Sequence, residues 1–180
     1  MMTRAFTLVE TLVAIAVVSL AIVGPLHVVQ GVLQSSYTAR DQLVAAALAQ
    51  EGVEYVRSLR DSNFIYNVHN SGTRQWLYGL DGNGGPDCYS SNCVIDVGQQ
   101  AVGGQPAAVY SSSKCTNRPQ LFLSANNLYN EACSGTPTKF TRVIRLTLIS
   151  PTETLVTVTV TWTGHGSYSV VLKEDLRNWL

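Results

Sequence analysis

Residues 6–26 read FTLVETLVAIAVVSLAIVGPL, and Glu10 is the one Asp, Glu, Lys or Arg between Phe6 and Leu33. The 18 residues Phe6–Val23 nearly suffice to cross ~30 Å of hydrocarbon as a helix, and the continuation to Leu33 makes the length ample. A cleaved secretory signal fits poorly, because the apolar run is too long and no A-x-A-like site follows it. Arg4 is the only charge before the run. By the positive-inside rule it places the N-terminus in the cytoplasm and everything after about Leu33 outside. A carboxylate in such a span costs ~2.5–3.5 kcal/mol or more, so Glu10 calls for a partner. Gly24-Pro25 interrupts the run; proline lacks the N–H that would bond the Ala21 carbonyl, which predicts a kink or local melting.

Beyond the kink the helical pattern resumes. Leu43, Val44, Ala47, Leu48, Gly52, Tyr55, Val56 and Leu59 recur at three- and four-residue steps and make one stripe. Glu51, Glu54, Arg57, Arg60 and Asp61 fall on other faces, and Glu54 and Arg57, one turn apart, are placed to pair. A continuous helix from Phe6 to Asp61 would run roughly 84 Å. The stripe is under three heptads long, too short to argue a coiled coil.

The last forty residues carry the clearest strand signals. Phe140–Ile149 sets Phe140, Arg142, Ile144, Leu146 and Leu148 on one face. In Leu155–Thr163, Val156, Val158, Val160 and Trp162 alternate with threonines. Tyr168–Lys173 supplies a third strand with Tyr168, Val170 and Leu172 towards the core. The short links Ser150–Glu153 and Gly164–Gly166 favour an antiparallel meander. One apolar sheet face needs a cover, and the Leu43–Leu59 stripe is available. The predicted fold class is α+β: a long N-terminal helix, membrane-embedded in its first half, packed on a C-terminal antiparallel meander.

Residues 63–138 are rich in Gly, Ser, Asn and Pro. So long a stretch must carry some structure, and short strands are expected at Val94–Val97, Ala107–Tyr110 and Gln120–Leu123. All four cysteines, Cys88, Cys93, Cys115 and Cys133, lie here. An even count beyond a membrane span reads as two disulfides in an oxidising compartment. Three pairings are possible; Cys88–Cys93 with Cys115–Cys133 is favoured because sequence neighbours meet most cheaply. A zinc site competes, without tight C-x2-C knuckles. Asp81, Asn83 and Asp87 alternate with glycines as calcium ligands do, but the downstream bidentate Glu of an EF-hand is missing and a turn is the plainer reading. His27, His69 and His165 do not cluster, and His165 suits a hairpin turn. Trp76 and Tyr78 are expected to pack under the loop. No nucleophile motif or metal set is present, so no enzyme and no cofactor are expected.

Equal numbers of basic and acidic residues, 12 each, argue against a polyanion as the main partner. The local excess of Lys114, Arg118, Lys139, Arg142 and Arg145 over Glu131 leaves nucleic acid as a weakly supported partner.

The stretch Arg4–Glu10, the apolar run after it and Gly24-Pro25 resemble the N-terminus of type IV pilins and type II secretion pseudopilins. The resemblance implies a leader, residues 1–5, removed at the Ala5–Phe6 bond by a prepilin peptidase that then methylates Phe6. Alanine stands where that family usually has glycine. Glu10 matches the family's glutamate, implying a role in assembly. AQEGVEYVRSLRDSNF (49–64) and GTPTKFTRVIRLTLI (135–149) are similar to segments of minor-pilin-like proteins. Together these resemblances imply an assembly helix over 6–33 and an extracytoplasmic domain over 34–180, loop-rich over about 63–139. The expected function is that of a minor pilin in a type IV pilus-like filament, with a type II secretion pseudopilin as alternative and an adhesin or DNA-binding receptor subunit as a reading of another class. Implied partners are other pilin subunits, the peptidase, an inner-membrane assembly platform and, before assembly, the bilayer.

Overall fold

The structure, a computed structural model, describes residues 7–97, 109–111, 120–131, 133–164 and 166–178. Helix α1 (Leu8–Asn70, 63 residues) is followed by β1 (Cys93–Ile95), β2 (Val109–Ser111), β3 (Gln120–Leu123), β4 (Tyr129–Asn130), β5 (Thr136–Ser150), β6 (Glu153–Thr163) and β7 (Ser167–Arg177). The chain divides into two compact units, Met1–Asp41 and Gln42–Leu180.

The first unit contributes the opening turns of α1. The helix passes through Gly24-Pro25 without a break. Of the two expectations there, a melted turn is therefore corrected; Pro25 still deprives the Ala21 carbonyl of its donor.

In the second unit the predicted antiparallel meander β5–β6–β7 is present. β6 and β7 pair without a register shift from Glu153↔Arg177 to Thr163↔Ser167. The other edge of β5 is shared: β3 pairs with its first half (Gln120↔Thr141, Leu123↔Thr136) and β1 further along (Cys93↔Ile144). β4 and β2 lie outside β3 and β1 respectively. Of the strands expected at Val94–Val97, Ala107–Tyr110 and Gln120–Leu123, the last is found as predicted and the first runs Cys93–Ile95, stopping before Asp96. The second is described over Val109–Ser111, Ala107 and Ala108 lying outside the described residues.

Val156, Val158, Val160 and Trp162 are buried, as are Phe140, Arg142, Ile144 and Leu146. Leu148 and Leu172, assigned to the core from alternation, are exposed instead. Leu148 sits where the β5–β6 register shifts. Leu172 lies on the outermost strand, where alternation sets a face but not a cover.

Helix α1 is the cover. Its buried line runs Ala45, Leu48, Ala49, Gly52, Val53, Val56, Leu59, Asn63. The predicted stripe is one residue off axis: Leu43 is 73% exposed and Ala47 is exposed, while Ala45, Ala49 and Val53 replace them. Small residues define the line because the helix sits close to the sheet. A Cβ on Gly52 would come within 2.9 Å of Val158 Cγ1, so only glycine permits this approach without displacement.

The helix also outruns the predicted end at Asp61. Asn63 is buried and donates from Nδ2 to the Trp76 and Tyr78 carbonyls (3.2 and 3.0 Å), while Asn67 exchanges two bonds with the backbone of Arg74. Asparagines that read as loop formers hold the returning chain instead. Ser71 takes φ 48°, and the Gly72 N–H donates to the Asn67 carbonyl at 3.2 Å, a Schellman-type stop. Trp76 packs against the core, as expected.

Candidate functional site: an apolar stem and its one carboxylate

From Leu8 to Tyr37 every helical residue whose side chain is described is exposed, apolar ones such as Leu20 (77%) and Leu8 (75%) included. Over residues 8–26 the stem presents apolar side chains around its whole circumference, and the helix is long and apolar enough to span a membrane. A helix of that kind is stable only in lipid or against other apolar surfaces.

The stem's polar groups show what such surroundings demand. Thr11 Oγ1 donates to the Leu8 carbonyl and Ser19 Oγ to the Ile15 carbonyl, both at 2.8 Å, so each hydroxyl is satisfied within its own helix. Thr7 caps the start: its Oγ1 accepts the Glu10 N–H at 3.3 Å, and its carbonyl accepts the Thr11 N–H. The sequence Thr7-x-x-Glu10 is the pattern of a capping box, and an acid in the first turn faces the positive end of the helix dipole. The spacing of the two residues carries this signal, which the anomaly of the charge overshadows. Among the described residues no hydrogen bond or ion pair reaches the Glu10 carboxylate itself. Ala5 and Phe6 lie outside the described residues.

The second unit handles charge differently. Arg142 is fully buried and donates Nη1 to Glu51 Oε2 (2.6 Å) and to the Leu48 carbonyl (3.2 Å). Its Nη2 donates to the Ile95 carbonyl (3.2 Å) and its Nε to Glu131 Oε1 (3.3 Å). One guanidinium thereby joins α1, β1, β5 and the segment after β4. Glu131, 2% exposed, has its pKa pushed up to about 8: burial raises it, Arg142 partly offsets this, and Asp96 and Glu51 add repulsion. Arg142 therefore leaves the basic surface set; Lys139 and Arg145 are exposed, and Lys114 and Arg118 fall outside the described residues. The expected Glu54–Arg57 pair forms, and Arg57 also grips Glu174 of β7 with Nε and Nη2.

Cys88 and Cys93 are bonded, with Cα atoms 5.5 Å apart, and both are buried. The Cys88 carbonyl accepts the Leu146 N–H, tying that loop to β5. Cys133 is disulfide-bonded; the predicted partner, Cys115, falls outside the described residues. At 81–87 the carboxylates turn to their own backbone. Asp81 Oδ1 accepts the Asn83 N–H and Asp87 Oδ1 the Tyr89 N–H, both at 3.0 Å. Bonds from Ser90 and Tyr89 hold Asp87 below the usual carboxylate range. Among the described residues no three His, Cys, Asp or Glu side chains converge as metal ligands do.

Against known proteins the chain finds no match, neither to a family model, nor to a curated protein, nor to a solved structure.

Proposed function

We propose that the chain is a structural subunit of the minor-pilin kind, anchored in the cytoplasmic membrane by its stem and packed by that stem into a filament. One observation carries the reading: an apolar stem in which the Thr11 and Ser19 hydroxyls are satisfied internally and the single carboxylate is not. A cut at Ala5–Phe6 creates an α-amine four residues before Glu10. In the same helix that amine lies about one turn from the carboxylate. Between subunits, the amine of an incoming chain meets Glu10 of its neighbour, neutralising both charges in an apolar setting and setting the axial register. The domain after the stem faces the extracytoplasmic side, where cysteines oxidise. A type II secretion pseudopilin would use the same device, and the genes adjacent to this one distinguish the two machines.

Mass spectrometry of the mature N-terminus tests the reading. Loss of Met1–Ala5 with one methyl on Phe6, dependent on the peptidase, is the expected result. An intact N-terminus in cells that process other pilins overturns it. Given processing, Glu10→Gln should leave membrane insertion and folding intact while filament incorporation drops at least tenfold.

A further inference from the structure

Among the described residues the sheet ends in an open edge. Among the described residues β7 pairs with β6 alone, so alternate N–H and C=O groups along its outer side lack a strand partner. Natural edges are commonly blunted by proline, a bulge or a covering segment. Strand β7 contains no proline, and its pairing with β6 is unbroken over all eleven residues. Its first part, Ser167–Leu172, is uncharged and rich in β-branched and aromatic residues; Val171 is 50% exposed and Leu172 36%. Its charges, Lys173, Glu174, Asp175 and Arg177, sit in the second part.

We propose that β7 is a docking edge for a second copy of this chain, whose own β7 adds antiparallel about a two-fold axis through Glu174. A two-fold perpendicular to the sheet keeps faces matched, so only residues an even number apart can oppose one another. Centring on Lys173 sets lysine on lysine. Centring on Asp175 sets Lys173 on Arg177. Centring on Leu172 leaves Lys173 opposite Val171 and Glu174 opposite Val170. Centring on Glu174 places Lys173 opposite Asp175 twice, by symmetry, and Leu172 opposite Leu176. Arg177 then lies across from Val171, which its aliphatic stem can cover. The two Glu174 side chains meet at the axis, each already neutralised by Arg57 of its own copy. Centring on Leu176 also pairs Asp175 with Arg177, but then only residues 175–177 of each β7 overlap, against 171–177 when Glu174 is the centre. Charge complementarity and overlap together select the Glu174 register.

The competing role for Lys173 is that of a guard that keeps the edge unpaired. Paired substitutions in the full chain, in native membranes, separate the two. A Lys173→Cys chain mixed with an Asp175→Cys chain should give a disulfide-linked dimer, because directly opposed Cβ atoms lie about 4.5–5.5 Å apart. Each variant alone should give little. Lys173→Glu and Asp175→Lys should each lose self-association through this edge, and their mixture should regain it. No cross-link in the mixture, or a stronger one in either single variant, overturns the register. Unchanged association in both charge variants overturns the edge as the interface, and contacts made by the stems would be unaffected throughout.

Discussion

Up to Tyr37 helix α1 exposes apolar side chains on every face; from Ala45 it buries one line and exposes the rest. The backbone bonds are the same in both stretches, so the difference lies in what the side chains meet. In the stem, the Thr11 and Ser19 hydroxyls fold back on their own helix and one carboxylate is left over. In the second unit a guanidinium is taken wholly inside, but with four acceptors from three segments around it. The two charges teach opposite lessons. Arg142 is an intramolecular fastener, complete within one chain. Glu10 is incomplete within the described chain, which is why the proposed function assigns its partner to the processed N-terminus.

Breaking the fastener should give the largest effect. Arg142→Ala takes the shared donor away from Glu131, Glu51 and the Leu48 and Ile95 carbonyls, at about 1–3 kcal/mol for each buried group left unsatisfied. The melting temperature of the full chain in detergent, followed by circular dichroism, should fall well below wild type. Glu10→Gln in the same assay should stay within about 0.5 kcal/mol of wild type, as changes away from the core do. Equal losses from both would erase the distinction between the two charges.

A proton sharpens the same contrast. Glu131 titrates near 8 in the fold against about 4.5 when unfolded, so between those values the folded state holds the extra proton. Stability is then highest at the acid end of this window, falls as pH rises from about 4.5 to about 8, and flattens above it. Glu131→Gln mimics the protonated form and should abolish much of that slope. The groups facing Glu131 are Arg142, Asp96 and Glu51. Thermal melts at pH 5 and pH 8.5 check the sign: wild type should melt lower at pH 8.5, and the Gln variant should show a smaller difference. A melting temperature that rises with pH would show Glu131 ionised in the fold.

The periodic parts of the molecule are legible in the sequence. Val156, Val158, Val160 and Trp162 alternate so strictly that both the strand and its buried face can be read, and the apolar run declares the stem. What stays hidden depends on partners distant in sequence. Asn63 and Asn67 look like loop residues until the chain returns at 74–78 to use their amides. Arg142 can be placed on the core face by parity, but nothing local shows that Glu51, 91 residues earlier, comes to meet it. Ala45 and Ala49 escape a hydrophobicity pattern because small residues weigh little in it, although close approach is what they permit. Thr7-x-x-Glu10 is a different case: its capping signal is local, and it hides behind the more conspicuous cost of the charge.

The smallest effect is the sharpest comparison, because one substitution is made twice in one helix. Glycine to alanine in a helix interior is ordinarily worth ~0.5–1 kcal/mol of stabilisation. At Gly31 a Cβ meets nothing within 4 Å, so Gly31→Ala should realise that gain in the detergent-solubilised chain. At Gly52 the same methyl lies 2.9 Å from Val158 Cγ1 and 3.3 Å from Cγ2. A β-branched side chain on a fully paired strand has little freedom to turn aside, and overpacking of this kind costs ~1–3 kcal/mol. The clash outweighs the propensity, so Gly52→Ala should be a net loss of about 1 kcal/mol. Opposite signs at the two positions, measured as melting temperatures, tie the close seat of α1 on β6 to Gly52. A gain at both would mean that Val158 yields, and that helix and sheet tolerate a wider spacing than Ala45 and Ala49 imply.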